Sequence, residues 1–265
     1  MSEMQSVARS LFDLPVEIKQ QHGDAVAGGK GYSPVQEANP LIEGLDVYDM
    51  DSPGAVHAFC SHLQASPNQR ETILRYTEAI HELTMTIGSK LAKSMGMDSN
   101  LFKDWLCRFR LNKYHFTPHT IGSTGARMHT DASLLTVLND DEMVKGLEIV
   151  DNKSGAVIPI DPMPASLLVF VGDIGKVWSN GRFCNLKHRV QCVEGRVRVS
   201  IVLFLLEPKE AKVEASPELV DSDHPRLFVP FTFEEYYMRR SSTSSASGEA
   251  LEFFRTPLEI NEERV

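Results

Sequence analysis

The sequence predicts a mainly β centre, an antiparallel barrel or two-sheet sandwich, with helical segments on both sides of it. Two observations carry this. From Phe109 onward the apolar period becomes two, in short runs separated by Gly, Pro, Asn and Asp clusters. No helical pattern of about 10–15 residues alternates with those runs, which argues against a parallel α/β sheet. At 265 residues, 42% hydrophobic and 24% charged, the chain has an ordinary globular composition and enough length for a full core.

Taken in order, Ser2 to Gln20 reads as a helix interrupted at Pro15, and Gly28 to Pro40, with its glycines and prolines, as a linker or lid. Ser66 followed by Gln69 fits a capping box, Pro67 suits the first helical position and Gly96 supplies the stop, which predicts one long helix between them. Its apolar stripe of Ile73, Ile80, Leu83, Ile87, Leu91 and Met95 is expected to face the core. Strands are predicted at Phe109–Phe116, Leu134–Leu138, Gly146–Val150, Ala156–Ile160, Leu167–Val171 and Val197–Leu206. Thr232 to Arg240 returns to helix, and Ser241 to Gly248 reads as a mobile Ser-rich connector before a last amphipathic segment. The expected division is a helical region over 1–103, the β core over 104–208 and a helical tail over 209–265.

Lys and Arg number 27 against 36 Asp and Glu, for a net charge of −9, and the basic residues are scattered. Neither a nucleic acid nor an anionic membrane is expected as partner. The longest apolar runs fall far short of the ~20 residues of a membrane span. No leader-like start is seen, and Cys60, Cys107, Cys184 and Cys192 form no C-x-x-C pair. A cytoplasmic monomer with free thiols, acting on a small molecule, is the expectation.

The chemistry centres on His129 and Asp131. On a strand, positions i and i+2 share a face, so imidazole and carboxylate would converge. A second histidine would complete a 2-His-1-carboxylate face, which leaves open positions on a non-haem Fe(II). His188 lies 57 residues beyond Asp131, on the strand expected after an Asn180-Gly181 hairpin turn. Ten residues further on, Arg198 and Ser200 share the polar face of a strand whose other face carries Val199, Ile201, Leu203 and Leu205. A planar guanidinium beside a hydroxyl suits a ligand carboxylate, although a structural ion pair fits the same spacing.

These elements, together with Gly146-Leu147-Glu148, Gly172-Asp173 and Ser179-Asn180-Gly181, resemble the plant 2-oxoglutarate/Fe(II)-dependent dioxygenases in order and spacing. Phe12-Asp13-Leu14-Pro15, with Glu17 and Lys19, is similar to the family's F-D-L-P-x-E-x-K helix. The resemblance implies a double-stranded β-helix (jelly-roll, cupin-like) core flanked by N-terminal and C-terminal helices. It also implies iron on His129, Asp131 and His188, and 2-oxoglutarate on Arg198 and Ser200. Arg110, Asn112 and Tyr114 look like the R-x-N-x-Y element, whose Asn and Tyr approach the co-substrate. Dioxygen is then consumed, succinate and carbon dioxide are released, and ascorbate is expected as reductant. Family members usually carry a further strand and helix ahead of the F-D-L-P helix, so the expectation here is a shortened N-terminal region and an uncovered sheet edge.

Asn39 to Leu45 and Phe204 to Lys209 are similar to the branch of auxin-oxidising and alkenyl-glucosinolate-forming enzymes, which implies a small plant metabolite such as indole-3-acetic acid. A specialised-metabolite hydroxylase or demethylase of that branch is the alternative. Substrate-contact candidates by position are Tyr32, Phe116, Phe204 and Phe231, and a basic residue from Arg108, Lys113 or Arg127 would favour a carboxylate substrate. Three competing readings stay open: an ascorbate-using relative such as the ethylene-forming oxidase, an inactive jelly-roll binding protein, and a zinc hydrolase.

Overall fold

The computed structural model of the chain describes residues 1–25, 31–208, 212–242 and 249–257. Pro15 separates α1 (Ser2–Phe12) from α2 (Val16–Ala25), as its missing N–H and fixed φ require. A short helix α3 (Ala55–His62) precedes α4 (Pro67–Ser94). The capping box is formed: the Gln69 N–H donates to Ser66 Oγ at 3.4 Å, and the Ser66 N–H donates to the Gln69 side chain at 2.8 Å. Gly96, at φ 80°, ends the helix.

Of the expected stripe, Ile73, Ile80, Ile87, Leu91 and Met95 pack into the core and Leu83 is exposed; the fully buried face of α4 is Ile73, Thr77, Ile80, Thr84, Gly88 and Ala92. Small residues win this face because the helix lies close to the sheet. A Cβ on Gly88 would sit 3.1 Å from the Phe102 ring and 3.5 Å from Leu205. Thr77 and Thr84 return their hydroxyls to the Ile73 and Ile80 carbonyls at 2.9 and 2.8 Å, so they bury no open donor.

Ten strands, in chain order, form the centre of the described residues: β1 (Tyr32–Ser33), β2 (Ile42–Val47), β3 (Trp105–Tyr114), β4 (Thr124–His129), β5 (Leu135–Asn139), β6 (Leu147–Val150), β7 (Val157–Pro159), β8 (Leu168–Val171), β9 (His188–Gln191) and β10 (Arg198–Pro208). One antiparallel sheet has the order β1-β2-β3-β10-β5-β8 and the other β4-β9-β6-β7. Together they make the double-stranded β-helix. The boundary expected at 103 cuts through this sheet, because β1 and β2, which precede it, are paired onto β3. Reading that region as helical missed β2: Glu43, Gly44 and Asp46 interrupt its apolar pattern, and both acids are buried only because distant cations meet them.

Two-residue periodicity then sorts the large sheet. Odd-numbered Leu45, Phe109, Leu111, Val199, Ile201, Leu203 and Leu205 face the helices, in a core that also holds Met4, Leu11 and Ile73. Even-numbered residues face the second sheet, where Tyr114, Leu138, Leu147, Val190 and Val202 make a smaller cluster. Register places Tyr114 beside Arg198, Asn112 beside Ser200 and Arg108 beside Phe204.

Asn180-Gly181 is not a hairpin turn. It closes a short helix α5 (Asp173–Trp178), with the Gly181 N–H on the Lys176 carbonyl at 2.8 Å and the Asn180 N–H on that of Val177 at 3.0 Å. Their φ values of 49° and 78° suit either motif, which is why the dipeptide alone misleads. The tail helix α6 (Phe233–Ser242) takes in the first two residues expected in the connector, and the remainder of that segment lies outside the described residues. All four cysteines are free, and among the described residues no helix is long and apolar enough to cross a membrane.

Candidate active site

β4 ends at His129, so Asp131 sits in the loop beyond it rather than on the strand, and the convergence is made by that loop. His188 opens β9 directly opposite His129 in register. The rings of the two histidines lie 4.2 Å apart, and their Nε2 atoms stand 3.5 Å (His129) and 3.8 Å (His188) from Asp131 Oδ1. One ligand atom from each of the three residues falls within 4.8 Å of the others. Nδ1 of His129 bonds the Arg127 carbonyl at 2.7 Å and Nδ1 of His188 that of Leu186 at 3.2 Å. Each ring therefore donates from Nδ1 and leaves Nε2 for a metal. Thr136 Oγ1 donates to Asp131 Oδ2 at 2.7 Å and occupies the carboxylate's other oxygen.

The electrostatics suit a cation. Burial opposes ionisation of Asp131, yet the two histidines and Thr136 outweigh it and hold the carboxyl below its usual range. Burial also pushes His188 down to about 4, which keeps a neutral, ligating imidazole. His129, in contact with Asp131, is raised despite its burial.

Beyond the triad, Arg198 is 1% exposed. Its Nη2 donates to Asp140, and its guanidinium lies 5.0 Å from the Tyr114 ring centroid. Nε and Nη1 are buried without a hydrogen-bond partner. Such orphaned charged donors are costly unless a ligand satisfies them, and a carboxylate is the group whose two oxygens match the fork. They border a cavity of 180 Å³ that is shared with His129, Asp131, His188, Asn112 and Ser200, and the Asn112 amide donates to Ser200 Oγ at 3.4 Å. The donor set, two imidazoles, one carboxylate and a nearby unsatisfied guanidinium, fits Fe(II) together with a 2-oxo dicarboxylate.

Of the four substrate-contact candidates, Phe204 lines both this cavity and a second one of 770 Å³ that also reaches Asp131. The other three are corrected. Tyr32 is buried with its hydroxyl on Glu43 at 2.8 Å, Phe116 packs against Tyr114, and Phe231 is core between Tyr236 and Phe254. None of the three lines either cavity.

Sequence reasoning missed the clamp beneath the triad. Asp173, fully buried, accepts from Tyr236 Oη, from Asn185 at 2.6 Å and from Arg240 at 3.2 Å, and Arg240 also donates to the Thr130 carbonyl. The N–H of Asp173 donates to the Asp131 carbonyl at 2.8 Å. Gly172 admits this contact, since a Cβ there would meet the Ser133 carbonyl oxygen at 2.3 Å. Only the Gly172-Asp173 pair was a visible signal; Tyr236 and Arg240 come from a helix that the sequence marks by its Thr232 cap alone.

A double-stranded β-helix with a facial triad and a buried carboxylate clamp defines a metal-dependent oxygenase class. Residues 105–207 match the 2OG-Fe(II) oxygenase superfamily. Over 250 residues the chain is 46% identical to the 2-oxoglutarate-dependent dioxygenase DAO of Oryza sativa subsp. indica, covering 94% of this chain and 83% of that one. The crystal structure of the rice dioxygenase for auxin oxidation superposes with a TM-score of 0.89 at 45% identity, covering 96% of this chain and 85% of the other. Dioxygenase for auxin oxidation 1 from Arabidopsis thaliana, as its 2-oxoglutarate complex, superposes with a TM-score of 0.81 at 48% identity, covering 85% of each. The chain belongs to the 2OG-Fe(II) oxygenase superfamily and is a 2-oxoglutarate-dependent dioxygenase.

Proposed function

We propose that this dioxygenase oxidises auxin, indole-3-acetic acid, at the indole ring. The observation that carries the reading is the 770 Å³ cavity that ends at Asp131, of a size for a small aromatic metabolite and lined by Tyr48, Phe204, Phe233 and Tyr237. The auxin-oxidising relatives, at 46% identity over 94% of the chain, support it.

Bound at the triad, iron and 2-oxoglutarate supply an oxidative decarboxylation that releases succinate and carbon dioxide and places one atom of dioxygen in the substrate. The chain's own part is positioning. His129 and His188 present Nε2 because Nδ1 is tied to backbone, Asp131 is held by Thr136 and the Asp173 N–H, and Arg198 with Ser200 receives the distal carboxylate. Two cavities share Asp131 and Phe204 in their walls, the one with Arg198 for the co-substrate and the larger one for the substrate.

The test is anaerobic addition of Fe(II) and 2-oxoglutarate, followed by air and indole-3-acetate, with succinate and oxidised indole both assayed. Equimolar succinate and oxidised indole support the reading. Slow succinate without indole consumption retains the dioxygenase and removes auxin as its substrate.

A further inference from the structure

The substrate cavity contains a cation whose donors are only half used. Among the basic residues that suit an acidic substrate, Lys113 is spent on Asp13 at 2.9 Å, and Arg127 is exposed with its bond on the Ala38 carbonyl. Arg240 lines the cavity, but its Nη groups are engaged with Asp173, Tyr236 and Thr130.

Arg108 differs. Its Nε donates to the fully buried Asp46 at 2.7 Å, which fixes the guanidinium, and its Nη groups have no partner among the described residues. The guanidinium lies 5.9 Å from the Tyr48 centroid and 6.0 Å from that of Phe204. Arg110 also donates to Asp46, so two cations share one carboxylate and leave a net positive charge here. A fork held at one edge and flanked by rings is preorganised for a planar carboxylate at its other edge. Glu207 and Glu234 line the same cavity and repel a carboxylate, so the acid group needs a cation, and of the lining cations Arg108 is the one with donors to spare.

We propose that Arg108 is the carboxylate anchor of the substrate site: its Nη edge holds the acid group of an aromatic carboxylic acid while the ring lies toward Phe204 and Asp131. The inference deepens the proposed function and rests on the same cavity, but it assigns a specificity-determining residue and extends to aromatic monocarboxylates as a class.

The experiment measures binding of indole-3-acetate, phenylacetate and cinnamate, and of their primary amides, to the anaerobic Fe(II)·2-oxoglutarate enzyme by perturbation of its visible band. The unvaried enzyme and the Arg108→Gln and Arg108→Lys variants are compared. A charge-assisted two-point contact gives acids an advantage over amides of about 10- to 100-fold. In Arg108→Gln that advantage falls to within about threefold, whereas Arg108→Lys, with its charge but no fork, keeps an intermediate ratio. Because the readout is a ratio within one protein, a general loss of folded enzyme does not imitate it. An acid-to-amide ratio unchanged in Arg108→Gln overturns the anchor, as does the absence of any preference for acids in the unvaried enzyme. Preferential acid binding through Arg108 without oxidation of indole-3-acetate retains the anchor and removes auxin, which separates the two readings.

Discussion

Arg198 separates the two ligands of the active site, because it touches the co-substrate cavity and none of the metal ligand atoms. Replacing it with Ala removes a charge-assisted contact of about 1.5–3 kcal/mol, so the KM for 2-oxoglutarate should rise about 10- to 100-fold. Metal content, measured after desalting, should not change. His129→Ala or Asp131→Ala should do the opposite and abolish iron retention and turnover together. Substantial activity in either would remove the triad assignment. At Gly172 a single methyl is enough: Gly172→Ala places a carbon 2.3 Å from a backbone oxygen in the loop that holds Asp131. Both thermal stability and iron affinity should fall, and a stable variant with full iron binding would show that the loop can yield.

Among the elements, α6 is the one whose contribution is least apparent from its own sequence. It lies far along the chain from the triad, yet Tyr236 and Arg240 close the polar cluster on Asp173 and tie the backbone at Thr130. Arg240→Ala leaves a buried carboxylate short of its cation, a defect of about 3–5 kcal/mol. Denaturant midpoint and iron dissociation constant should worsen together. The helix α4 offers the contrast: Ser66→Ala loses a cap worth about 1 kcal/mol, with no change in iron affinity expected, because that end of the helix is remote from the site.

For the whole molecule, the docking of the N-terminal helices on the sheet converges on Glu43. Burial alone would raise its carboxyl, but His115, Lys19 and Tyr32 together take it from 4.5 down to about 2. A folded-state value below the unfolded one means the stabilisation is present above about pH 4.5 and is lost as pH falls toward 2. On the order of 3 kcal/mol is involved. Acid denaturation of the unvaried protein should therefore steepen in that window, and Glu43→Gln, less stable at neutral pH, should show a flatter profile there. An unchanged acid profile would mean that these contacts add nothing to folding. The Tyr32 hydroxyl belongs to this cluster, which is why a residue next to a glycine-rich segment is core rather than substrate contact.

Local physics made part of this protein legible in one dimension. The capping box at Ser66, the break at Pro15 and the two-residue period of β3 and β10 each depend on neighbours within a few positions. The triad and Arg198-x-Ser200 were legible through their resemblance to a known family, since the strand-pitch argument for His129 and Asp131 fails where Asp131 lies past its strand. What needed the tertiary structure were the partnerships made across the chain: β2 with its buried acids, Arg198 with Asp140, Asp173 with Tyr236 and Arg240, and Arg108 with Asp46. A strand with Glu43 and Asp46 looks too polar to be buried until the cations that neutralise it are brought in from other elements. The iron and co-substrate chemistry could be read from one dimension because it rests on a few residue types in a family's order and spacing. The shape and charge of the larger cavity needed the fold, because its walls come from β1, Tyr48 after β2, β3, β10, α6 and the loop at Asp131, which meet only in the folded chain.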